Sequence, residues 1–93
     1  MVDQSSPDGE RILSEVQARI LEGIAAGSSS ADLSRELFFS PKSIDYHVRS
    51  MSDKVEASNR VALVSRAFFL GILRADSWPP KVVDESVKYG EEP

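Results

Sequence analysis

The sequence predicts an all-α domain, a short orthogonal bundle of four helices with flexible tails at both ends. Three observations carry this. Apolar residues recur at spacings of three and four from Leu13 to Val55, the repeat of an amphipathic helix. Capping and stopping residues interrupt that pattern at short intervals, which favours short crossed helices over a long up-down bundle. No run alternates apolar and polar residues, so nothing reads as a strand.

Residues 1–9 are polar, with Pro7 and Gly9, and read as a disordered tail before a domain spanning 10–74. The first helix runs from Glu10 or Ser14 to Ala26. Leu13, Val16, Ile20 and Ile24 share its inner face, and Gly27 stops it. Ser29 followed by Asp32 fits a loose capping pattern. It opens a second helix over about 30–37, with Leu33 and Leu37 turned inward. Ser40 caps a third helix over about 41–55, and Pro41 suits its first position. Ile44, Val48, Met51 and Val55 form its buried stripe. The opposite face carries Lys42, Asp45, Tyr46, Arg49, Ser50 and Asp53.

Asn59 or Ser58 caps the fourth helix, from Arg60 to Leu70, with Gly71 near its end. From Val61 to Leu73 only Ser65, Arg66 and Gly71 are not strongly apolar. Leu63, Ala67 and Leu70 can cover the core. A second face with Val61, Val64, Ser65, Phe68 and Ile72 needs a partner, unless Trp78 and Val82 of the tail fold over it. Residues 75–93 form an acidic tail in which Pro79 and Pro80 favour an extended path. Trp78 is expected to pack down as an anchor.

Ninety-three residues make one small domain. Without cysteine there is no disulfide and no thiolate metal site. No apolar run approaches a membrane span, and MVDQSSPDGE has no signal-peptide core. A cytoplasmic protein fits these facts. The net charge of −4 opposes nucleic-acid binding at first sight, but the acidity sits in the tails. Asp3 and Asp8 lie at one end, and Asp76, Asp84, Glu85, Glu91 and Glu92 at the other. Between 41 and 66, Lys42, Arg49, Lys54, Arg60 and Arg66 outnumber Asp45, Asp53 and Glu56. The basic patch is weak, so non-specific attraction to phosphate is modest.

The outer face of the third helix holds side chains that touch phosphates and base edges. A plain solvated helix carries the same types. The second and third helices are separated by about three residues, the spacing of a helix-turn-helix. That turn length equally suits a generic αα-corner.

The order of signals from Leu13 to Arg60 resembles the LuxR/GerE class of helix-turn-helix regulators. The resemblance rests on Leu13-Ser14 with Ile20-Leu21, then Ala25, Gly27, Ser29, Asp32-Leu33-Ser34 and Leu37. It continues through Phe39-Ser40, Ser43-Ile44-Asp45-Tyr46-His47, Lys54-Val55 and Arg60. The chain departs from the class where an acidic pair is usual, at Val16-Gln17-Ala18-Arg19. Ala31 and Asp45 replace usual lysines, which removes positive charge from the DNA-facing side. The resemblance implies a four-helix fold, recognition of DNA by the third helix and dimerisation through the fourth. That last implication agrees with the unpartnered apolar face.

On this reading Asp45, Tyr46 and Arg49 are the candidate base contacts. Arg49 offers a fork for guanine O6 and N7. Asp45 either accepts from a cytosine amino group or pairs with Arg49 one turn on. Ser30, Lys42, Ser43, Ser50 and Lys54 are candidate phosphate contacts. Val61, Val64, Ser65, Phe68 and Ile72 are the candidate dimer interface. His47 has no companions for metal binding or base catalysis and is expected to pack locally. No catalytic arrangement appears, so neither an enzyme nor a cofactor is expected. The leading function is a transcription regulator that binds DNA as a homodimer. The alternative is a protein-interaction module on the same fold, holding another regulator or a polymerase subunit through the fourth helix and the tail.

Overall fold

In the computed structural model, which describes residues 12–89, four helices follow the expected order. They are α1 (Glu15–Ala25), α2 (Ser30–Leu37), α3 (Pro41–Val55) and α4 (Arg60–Phe69). The expected tail of residues 1–9 lies outside the described residues. Each helix starts where a side chain can satisfy its free N–H groups. Ser14 and Ser29 form full capping boxes with Gln17 and Asp32. Ser40 caps α3 with Pro41 behind it, and Asn59 caps α4.

The helix ends turn in the left-handed region. Gly27 follows α1 at φ 101°, a conformation that suits a residue without Cβ. Phe38 and Glu56 close α2 and α3 at φ 62° and 60°, although neither is glycine. The hydroxyl of Ser34 reaches across the first of these turns to the Phe39 carbonyl.

Helix α3 touches α1, α2 and α4, so its apolar stripe is the centre of the core. Ile44 and Met51 are fully buried there with Leu13, Ile20, Leu21, Leu33 and Leu63. Burying each such side chain contributes ~1.5–3 kcal/mol. The α1–α2 approach is close. A Cβ placed on Gly23 would lie 2.4 Å from Leu33 Cδ2, so the absence of a side chain lets Leu33 seat against α1.

The chain after α4 departs from expectation in three ways. First, Leu70 is half exposed and does not join the core. Gly71, at φ 78°, turns the chain so that Ile72 and Leu73 point inward instead. Second, a short antiparallel ladder forms, pairing β1 (Leu73–Arg74) with β2 (Lys81–Val82). Two residues per strand are too few to leave an alternating pattern. Third, Trp78 is 74% exposed, at the turn between these strands, and is no anchor.

The anchors are Val82 and Val87, both buried. After a 3-10 turn at Asp84–Ser86, Val87 lies beside Leu13 in a parallel bridge. Leu13 N–H donates to the Ser86 carbonyl at 3.0 Å, and Lys88 N–H donates to the Leu13 carbonyl at 2.9 Å. Val82 N–H donates to Glu22 Oε2 on α1 at 2.9 Å. Residues 72–88 therefore form a strap across α1 and the end of α4. The expected domain boundary at 74/75 does not divide the structure.

Candidate nucleic-acid interface

The side chains singled out on α3 fall into an exposed set and a tethered set. Lys42, Asp45, Tyr46, Arg49 and Asp53 are exposed, while Ser43 and Ser50 are half-buried. Tyr46, at 67% exposure, stands edge-on to the His47 ring, which in turn meets Phe39 edge-on. Ser43 belongs to the helix cap, where its N–H and hydroxyl both meet the Ser40 hydroxyl at 3.1 Å.

Asp45 does not pair with Arg49. Its Oδ1 accepts from Ser30 Oγ at 2.9 Å and lies 3.4 Å from Arg60 Nη2. Arg60 also donates to Ser30 Oγ at 2.8 Å. The first residues of α2 and α4 thus meet α3 through this one carboxylate. The Ser30 hydroxyl is engaged there, not free for a phosphate.

Beneath α3 the buried Gln17 links four groups. Its Oε1 accepts from Ser14 N–H at 3.3 Å and from Lys54 Nζ at 3.2 Å. Two donors on that oxygen fix the amide orientation. Gln17 Nε2 is then the donor to His47 Nδ1 and to Ser50 Oγ, both at 3.4 Å. A neutral His47 accordingly carries its proton on Nε2. Burial and then the nearby Lys54 charge push the His47 pKa below its ordinary value.

Lys54 is turned away from the outer face, since its ammonium also donates to the Ile12 carbonyl at 2.7 Å. Burial, with Lys88 nearby, pushes its pKa down. Arg66 Nε donates to the Val55 carbonyl. Of the five cations between 41 and 66, Lys42 and Arg49 alone lack a partner among the described residues. Fewer cations are untethered at the outer face than the sequence count suggests.

On α4, Val61 is 80% exposed, Ser65 and Phe68 are exposed, and Val64 is half-buried. Ile72 does not belong with them, because the turn at Gly71 buries it in the core. Val61, Val64 and Ser65 border a groove shared with Ile24, Ala25, Gly27 and Ser28 at the end of α1. Phe69, 81% exposed, extends the apolar surface beyond the residues named from sequence.

Gln17 and Arg60 bond the candidate site residues, and sequence reasoning gave neither that place. The Ser14-x-x-Gln17 spacing is a capping-box signal and marks the first of them. Nothing local marks Arg60 as the partner of a residue fifteen positions earlier. The family model described as bacterial regulatory proteins, luxR family (GerE) matches residues 11–67, which takes in most of the four helices. No curated relative matches the chain.

Proposed function

Because the chain belongs to the luxR family of bacterial regulatory proteins, which are DNA-binding transcription regulators, we propose that it binds a specific duplex site as a homodimer. The observation that carries this is the outer face of α3, where Arg49, Tyr46 and Lys42 stand exposed. A helix of this size enters the major groove. Arg49 pairs with a guanine, Tyr46 meets a thymine methyl or a phosphate, and Asp45 accepts from a base amino group. Lys42 and Ser43 contact phosphates. Ser30, Ser50 and Lys54 reach phosphates only by giving up their bonds within the protein.

The dimer forms through α4, with Val61, Val64, Ser65 and Phe68 facing their equivalents across a two-fold axis. The two copies of α3 then lie about one DNA turn apart, ~34 Å. One short helix buries little area, so the free dimer is weak and DNA completes it. No helix among the described residues is long and apolar enough to cross a membrane, and we place the activity in the cytoplasm.

Selection of bound sequences from random DNA tests the proposal. A palindrome with half-sites one turn apart is the expected outcome. A single half-site, bound by one chain, overturns the dimer. A second reading, a protein-interaction module, is favoured by the exposed Phe69 and Trp78 and by the net charge of −4. A salt titration separates the two, since phosphate-driven binding weakens steeply with salt.

A further inference from the structure

The carboxylate of Asp45 is held on one side only. Ser30 Oγ and Arg60 Nη2 both address Oδ1, at 2.9 and 3.4 Å. Among the described residues Oδ2 has no protein donor. The two donors are themselves fixed. Ser30 opens α2 behind the Ser29 capping box, and Arg60 opens α4 behind the Asn59 cap. The 2.8 Å bond from Arg60 to Ser30 closes the triangle.

An isolated aspartate on a groove-facing helix rotates freely about χ1 and repels phosphate. Rotation here breaks two bonds to the carboxylate, both charge-assisted and one of them an ion pair. Arg60 also offsets the negative charge beside the DNA-facing surface.

We infer that Ser30 and Arg60 are positioning residues that hold Asp45 with Oδ2 presented as a fixed acceptor, so that the chain requires a cytosine amino group at one position of its site. This rests on the DNA-binding reading above. An ionised carboxylate accepts and cannot donate. It therefore rejects guanine O6, guanine N7 and thymine O4, which are acceptors in the major groove. Adenine sets an acceptor, N7, beside its amino group, whereas cytosine itself offers only the N4 donor. The Ser30 hydroxyl thereby acts on base choice through Asp45 and does not contact phosphate.

The test is selection from random DNA with the unaltered chain, Asp45→Ala, Ser30→Ala and Ser30→Thr, with thermal melting as a control for folding. The unaltered chain selects cytosine at one position. Asp45→Ala lowers that preference about tenfold. Ser30→Ala lowers it at the same position, and Ser30→Thr, which keeps the hydroxyl, restores it. A residue with a merely structural role weakens all sequences alike and leaves every base preference intact. Unchanged preference in Asp45→Ala or in Ser30→Ala, with selection by the unaltered chain intact, overturns this inference alone. If the unaltered chain selects no sequence, the DNA-binding reading falls with it.

Discussion

The four helices and the strap behind them are held in different ways. Each helix carries its own instructions, a capping side chain at the start and a residue in left-handed conformation at or just after its end. The strap has two residues in each strand and is held by what it reaches. Ile72, Leu73, Val82 and Val87 sink into a core that the helices supply. The family match ends at residue 67, before the strap begins. Local rules therefore specify the helical part, while the far half of the strap depends on partners 60 or more positions away, as Glu22 with Val82 and Leu13 with Val87 show.

Removing the strap is the harshest test of that contrast. A chain ending at Gly71 loses four buried apolar side chains, each contributing ~1.5–3 kcal/mol, a sum comparable to the whole stability of a small domain. It should lose its cooperative thermal transition in circular dichroism. A transition within a few degrees of the full chain would show that the helices stand alone.

Gly23→Ala probes the helical part in turn. The added methyl meets Leu33 at 2.4 Å, and overpacking costs ~1–3 kcal/mol, against a helix-propensity gain of up to ~1 kcal/mol. Chemical denaturation should show net destabilisation. A more stable variant would mean that α2 shifts freely, contrary to a locally specified helix pair.

Glu22→Ala removes the side-chain acceptor for Val82 N–H, at a cost of about 1 kcal/mol. Hydrogen exchange should quicken in the strap and stay unchanged in α2. Equal quickening in both would erase the distinction between the regions.

The smallest effect is that of pH. His47 has a lowered pKa in the fold, so the fold favours its neutral form. Its contribution is present above the ordinary value of 6.5 and is lost as pH falls from there through the lowered value. Protonation also ends the acceptor role of Nδ1 toward Gln17 and sets a positive charge near Lys54. Melting temperature should fall modestly on acidification below 6.5, and His47→Gln should remove that step. A step of the same size in His47→Gln would assign it elsewhere.

These contrasts explain what could be read in advance. Ser14, Ser29, Ser40 and Asn59 stand beside the helices they start, so the four helices were legible with their order. The exposed face of α3 followed from the same periodicity. The strap was not legible, because Val82 and Val87 mean nothing until α1 and Leu13 are in place. The same limit applied to the candidate site. Tyr46 and Arg49 are exposed because of their place on one helix. The bonds of Asp45, Ser50 and Lys54 depend on Ser30, Arg60 and Gln17 from other helices, and spacing along the chain carries no trace of them. Ile72 was misplaced because its direction is set by the left-handed turn at Gly71, not by the repeat of α4.

The parallel bridge between Leu13 and Val87 also decides how the domain bears tension. In a parallel pair, the segment before Leu13 and the segment after Val87 leave from opposite ends of the ladder. A pull between them runs along the two bridged segments and loads the Leu13–Ser86 and Lys88–Leu13 bonds sideways and together. An antiparallel pair pulled from one end would open bond by bond. A pull applied through the two flanks of this bridge therefore meets these bonds in shear before it reaches α3.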